Sequence, residues 1–147
     1  DVCHALFVGN VRVLIYATGW CPGCNTEMGA IAPRVAEFDG KPVTFFSLMA
    51  QGDSQSSTPT PEFLRTWRQR HQIPTSVFVL ASPRDAGKQF FSPPVYIPNV
   101  VIIGRDGLVE YKAVEPSVND LFAAIRTALG DWGNDPSAPK RIRAARR

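Results

Sequence analysis

Long apolar runs are missing from this 147-residue chain. None approaches the roughly 20 residues that a helix needs to cross a bilayer. Soft metal ligands are few, with three cysteines and two histidines. With Cys21 and Cys24 set aside, only Cys3, His4 and His71 remain, and none has paired spacing. A four-ligand zinc site is therefore disfavoured, and no metal is expected. No internal repeat is visible. Charge of one sign is also scarce in the body of the chain. The net +3 comes from the last eight residues, which hold Lys140, Arg141, Arg143, Arg146 and Arg147; without them 11 basic groups face 13 acidic ones, a net of −2.

Pro136-Ser137-Ala138-Pro139 leads into that basic stretch. Residues 131–147 are therefore expected to form a disordered tail, and residues 1–130 one domain. A basic arm can touch nucleic acid or anionic lipid. We read this short one as a solvated end and expect no nucleic-acid partner. The chain is long enough to bury a core without staples, and its 44% hydrophobic content is ordinary. It begins at Asp1, with no targeting segment in view. That is compatible with a signal peptide or membrane tether lost upstream.

What is present is concentrated in Trp20-Cys21-Pro22-Gly23-Cys24. The apolar run from Val11 to Ala17 precedes it and reads as a strand buried on both faces. Met28, Ile31, Val35 and Phe38 follow at spacings of three and four, one apolar helix face. Pro33 lies inside that pattern and should kink the helix. Two thiols separated by two residues can close a disulfide ring with little backbone movement. A helix N-terminus offers partial positive charge and unpaired amides, which favour the thiolate of the first cysteine. The thiolate is the form that attacks a disulfide. An inert structural disulfide is the blander alternative, but so short a ring removes little unfolded-state entropy.

Further along, Val43 to Met49 reads as a strand. Thr60-Pro61-Glu62 starts a helix with Thr as N-cap, Pro at the first position and an acid in the first turn. Phe63, Leu64, Trp67 and His71 share one side of it, and His71 is expected to meet the terminal carbonyls. Val77 to Ala81 is a third strong strand. The Pro- and Gly-rich stretch from Ser82 to Ile97 holds Phe90, Phe91 and Tyr96, aromatics suited either to cover a binding surface or to pack locally. Val100 to Ile103 and Leu108 to Ala113 flank Arg105-Asp106-Gly107 as a β-hairpin. Ser117 with Asp120 opens the last helix, whose apolar face is Leu121, Phe122, Ile125 and Leu129, and Gly130 stops it. A short edge strand is expected within Val2 to Val8. The order predicts an α/β domain with a central mixed sheet flanked by helices and a closing hairpin plus helix.

Three stretches together resemble the thioredoxin-fold, TlpA-like thiol–disulfide oxidoreductases, which include the cytochrome c maturation reductases. The first is Tyr16 to Cys24, an aromatic-rich strand end leading to Trp-Cys-X-X-Cys. The second is Glu27-Met28 just after it. The third is Ile97-Pro98-Asn99-Val100-Val101-Ile102-Ile103 followed by Asp106-Gly107. The likeness spans about Gly9 to Leu129. Gly29 departs from it, standing where the family usually has Pro. Ile15 occupies the place of the acid that thioredoxins bury beneath their cysteines.

The resemblance implies a set of roles. Cys21 would be the exposed nucleophile and Cys24 the more buried resolving thiol, forming a redox-active Cys21–Cys24 disulfide with no other cofactor. Glu27, one turn after Cys24, would exchange its proton. Trp20, Pro22 and Gly23 would shape substrate approach. Ile97-Pro98 would be a cis bond beside the cysteines, presenting Ile97 to an extended substrate strand. The implied partners are protein disulfides and an upstream redox protein, met by a monomer in a periplasmic or other extracytoplasmic compartment. A disulfide-donating oxidase and a non-catalytic binding module of the same fold are the alternatives. A peroxidase would not need the Cys-X-X-Cys partner.

Overall fold

A computed structural model describes residues 7–131. Cys3, His4, most of the expected Val2–Val8 strand and nearly all of the basic tail lie outside those residues. Strand β1 (Val11–Thr18) leads through Cys21 into helix α1 (Pro22–Ile31). Its buried positions Cys24, Glu27, Met28 and Ile31 recur at three and four, so one stripe faces the core. At Pro33 the chain leaves α geometry and continues as a tighter 3-10 segment, Ala32–Phe38. Proline lacks the amide for an i→i−4 bond, and the expected kink takes this form.

Strand β2 (Val43–Gln51) and helix α2 (Pro61–Arg70) come next. The Thr60 side chain accepts from the Phe63 amide at 3.1 Å, which caps α2. Strand β3 (Val77–Ala81) is only partly buried, with Phe78 41% exposed. It is an edge strand, and its apolar run overstates its burial. Strands β4 (Asn99–Ile103) and β5 (Val109–Val114) form the expected hairpin, and helix α3 (Val118–Leu129) closes the domain. Ser117 Oγ accepts from the Asp120 amide at 3.1 Å. Gly130 ends α3 at φ +58°, a conformation glycine adopts without a Cβ clash.

The sheet order is β3-β2-β1-β4-β5. β1, β2 and β3 run parallel, whereas β4 is antiparallel to β1 and β5 to β4. β1 is the central strand, as its apolar run after Arg12 predicts. Side chains alternate across a strand, and one face takes Val13, Ile15, Phe45, Met49, Val77 and Val100 into a single core. The buried residues of all three helices join that same core, including Phe63 and Trp67 from α2 and Phe122 from α3. Phe38, Phe45 and Phe122 pack with ring centroids 5.7–6.4 Å apart.

The other face of the sheet carries aromatic contacts. Phe7 meets Phe46 edge-on at 5.1 Å, and Phe46 stacks on Phe78 at 5.3 Å. Phe90, from the loop before β4, reaches Tyr16 at 6.5 Å. Of that loop's aromatics, Phe90 and Phe91 therefore pack locally and Tyr96 stays 63% exposed. No helix among the described residues is long and apolar enough to cross a membrane.

Candidate functional site

The site stands where β1 ends and α1 begins. Cys21 is the N-cap of α1, with extended backbone (φ −80°, ψ 115°) and Pro22 at the first helical turn. Its Sγ accepts a hydrogen bond from the Cys24 amide at 3.2 Å. The helix start therefore places an N–H against the first sulfur. Both thiols are free. Cys21 is 7% exposed and Cys24 1%. The order of burial matches the expectation, but Cys21 is recessed rather than open. Burial pushes the Cys24 thiol well above its ordinary value, and its hydrogen bond with Cys21 and the charge of Glu27 act the same way, against a backbone bond with Thr18.

Asn25 braces this turn from inside. Its Nδ2 donates to Gly19 O at 2.9 Å and to Cys21 O at 2.8 Å. Both amide hydrogens point at carbonyls, so Oδ1 is left to accept, and His71 Nε2 donates to it at 3.1 Å. His71 stands at the end of α2 with its ring edge against Trp67, the centroids 4.3 Å apart. The expectation that His71 meets the terminal carbonyls is corrected here: packing on Trp67 turns the ring toward α1. Burial, then Arg70, lowers its pKa, which keeps the ring neutral. Trp20 donates from Nε1 to Gln51 Oε1 at 3.0 Å and lies partly exposed beside the core.

The Ile97-Pro98 peptide is cis, as is Pro93-Pro94. Pro98 is buried and Ile97 half-buried. A Cβ added at Gly23 would lie 3.3 Å from Pro98 Cδ and 3.3 Å from Glu115 Oε1, so glycine there permits the loop to close on the cysteine turn. Pro22 itself is exposed.

Glu27 is 8% exposed, and neither carboxylate oxygen has a hydrogen-bond partner among the described residues. Burial, reinforced by Glu115, pushes its pKa up to about 7. It shares a cleft of about 340 Å³ with Gly23, Pro98 and Glu115. Tyr111 on β5 also feels its charge. The residues singled out in the sequence are thus brought together around one turn: Cys21, Cys24, Glu27, Gly23 and Pro98, with Trp20 on its flank.

Three contributors escaped the sequence reading. Asn25 and Gln51 look like ordinary polar residues, and only position in the cysteine helix singles out the first. Glu115 lies 88 positions from Glu27. The one local signal is that it stands just before the Ser117 cap, where a sharp turn is needed. Among the described residues no group of three or more His, Cys, Asp or Glu could hold a metal ion.

The AhpC/TSA family model matches residues 4–112, most of the chain. The chain belongs to the AhpC/TSA family. Solved structures place this AhpC/TSA protein in the thioredoxin-like fold. A structure from Neisseria meningitidis, described as a candidate thioredoxin, is 26% identical, with a TM-score of 0.68 over 92% of this chain and 83% of its own. A thiol:disulfide interchange protein of the thioredoxin family from Chlorobium tepidum is 18% identical, with a TM-score of 0.69 over 86% and 84%. A secreted disulfide oxidoreductase of Mycobacterium tuberculosis, homologous to DsbE of E. coli, is 18% identical, with a TM-score of 0.62 over 82% and 84%. No curated protein matches the chain.

Proposed function

We propose that this AhpC/TSA protein is a TlpA-like thiol–disulfide oxidoreductase that reduces protein disulfides in an extracytoplasmic compartment. The observation that carries the reading is the helix-capping Cys21 sulfur, 3.2 Å from the Cys24 amide, with a buried carboxylate and a cis-proline loop beside it.

The thiolate of Cys21 attacks one sulfur of a substrate disulfide. A Cys21–substrate bond forms, the substrate S–S bond breaks, and the departing sulfur takes the electron pair as a thiolate. Cys24 then loses its proton and attacks Cys21 Sγ. The Cys21–Cys24 bond forms and the second substrate thiolate leaves. Two electrons have passed from the cysteine pair to the substrate. The protons of Cys21 and Cys24 end on the two substrate thiols. A separate dithiol protein returns the pair to its reduced form.

Cys24 is the difficult step, because burial holds its proton. Ile15 is buried where a carboxyl would stand in thioredoxins, and it cannot titrate. Glu27 supplies the carboxylate instead. A group with a pKa of about 7 exchanges protons efficiently near neutral pH. Trp20, Pro22 and Gly23 shape the approach, and Ile97 offers backbone to an extended substrate segment. The protein acts as a monomer, with no cofactor beyond the cysteine pair.

The reduction potential of the Cys21–Cys24 pair, measured against glutathione, tests the direction. A value toward that of thioredoxin, about −270 mV, supports disulfide reduction, whereas one near about −120 mV assigns disulfide donation.

A further inference from the structure

Asn99 opens β4, a strand that is otherwise apolar (Val100-Val101-Ile102-Ile103), and it is fully buried. The sheet fixes its backbone, opposite Tyr16 on β1 and Val114 on β5. Its side chain reaches back along the preceding loop, where Nδ2 donates to Tyr96 O at 2.7 Å. Oδ1 has no hydrogen-bond partner among the described residues. A buried amide whose oxygen stays unpaired costs stability. An apolar side chain of the same size would serve the strand at least as well, so folding alone does not call for asparagine here.

The Tyr96-Ile97 peptide is trans. In a planar trans peptide the C=O and the N–H point in opposite directions. With Tyr96 O held inward by Asn99, the Ile97 N–H is turned outward, on the side where Tyr96 stays exposed. Neither the Ile97 amide nor its carbonyl has a hydrogen-bond partner among the described residues. Pro98 has no N–H, and its carbonyl is taken by the Glu115 amide at 3.0 Å. The open donor and acceptor of Ile97 are what an extended segment can pair with beside the cysteine turn. Pro98 Cδ and Cys21 Sγ both lie within 4.0 Å of the position that a Gly23 Cβ would take, so a segment paired there runs past the first sulfur.

We propose that Asn99 is a positioning residue for the reaction: through Tyr96 O it holds the Ile97 N–H in the direction that a substrate strand needs. The proposal rests on the disulfide-reduction reading above. Its consequence is selection by backbone. The favoured substrate carries an extended peptide segment next to its disulfide, and a disulfide without a peptide backbone gains nothing from Asn99.

The test uses the full chain and two kinds of substrate. One is a linear peptide disulfide whose backbone amides, within three residues of the cysteine, are replaced one at a time by esters. An ester removes the donor and weakens the acceptor. The other is bis(2-hydroxyethyl) disulfide, which has no peptide backbone. With the wild-type protein at least one ester should lower kcat/KM by about five- to tenfold, chiefly through KM. In Asn99→Leu, which keeps a similar volume and lacks the donor, that ester penalty should shrink toward one. The ratio of kcat/KM for the peptide to that for bis(2-hydroxyethyl) disulfide should fall by a similar factor. Asn99→Ala is measured in the same way should the leucine variant not fold. An ester penalty or a substrate ratio that the folded variant leaves unchanged overturns the proposal. So does the failure of both variants to fold, which makes Asn99 a residue of the fold alone. If no disulfide of either kind is reduced, the disulfide-reduction reading falls and the proposal with it; reduction of the parent peptide with no ester effect removes the proposal alone.

Discussion

His71 Nε2 stands 3.1 Å from Asn25 Oδ1, joining the end of α2 to the helix that holds both cysteines. Asn25 passes the constraint on to Gly19 O and Cys21 O. The turn before α1 is held by a side chain it does not itself contain.

Removing that brace should loosen the turn. Asn25→Ala deprives two carbonyls of their donor and is expected to cost about 1–3 kcal/mol in urea unfolding, with His71→Ala costing about 1 kcal/mol. The double variant should cost less than the sum, because the two residues share one network. Because the folded-state pKa of His71 is lowered, its contribution is present above the ordinary histidine value and declines as pH falls below it. Additive costs with no such pH trend would show that the brace is incidental.

The cysteines should differ in reactivity. At pH 7, alkylation of the reduced protein is expected to label Cys21 well before Cys24, which is 1% exposed and pushed up by burial. Cys24→Ser should accumulate mixed disulfides, since the resolving thiol is gone, and Cys21→Ser should accumulate few. Faster labelling of Cys24 reverses the assignment.

Much of this arrangement is legible in the sequence where the signal is local. The Val11 to Ala17 run marks the central strand, Thr60 and Ser117 mark helix starts, and Pro33 marks a kink after α1. Each acts within a turn or a strand of its own position. What the sequence conceals depends on residues far apart. Periodicity gives each helix an apolar face, but not that all three faces join one core. It gives Val77 to Ala81 a strand, but not its place at the sheet edge. Glu115 meets the cysteine turn only because β5 returns beside β4.

Glu27 should leave a mark on stability against pH. Its folded pKa is raised to about 7, so the folded state favours the protonated acid. That preference is fully present below the ordinary glutamate value and is lost as pH rises through about 7. Relative to wild type, Glu27→Gln should therefore gain stability between pH 4.5 and pH 8, by up to roughly 3 kcal/mol. The same variant should keep Cys21 alkylation but slow the resolving step and change its pH profile. Parallel stability curves, with an unchanged resolving rate, would make Glu27 a bystander.

Gly23 tests how closely the loops must meet. A Cβ there would press on Pro98 Cδ and Glu115 Oε1 at 3.3 Å each. Gly23→Ala should fold and keep both thiols, yet lower kcat/KM for disulfide substrates by roughly three- to tenfold. An unchanged kcat/KM would mean that the approach of the Pro98 loop to the cysteine turn is not part of the reaction.

Insulin reduction driven by dithiothreitol measures the chemistry itself. Wild-type protein is expected to accelerate the precipitation of insulin chains, with both Cys21→Ser and Cys24→Ser at the rate of dithiothreitol alone. Acceleration that survives in Cys21→Ser, or none with the wild-type protein, would contradict disulfide reduction through the Cys21–Cys24 pair.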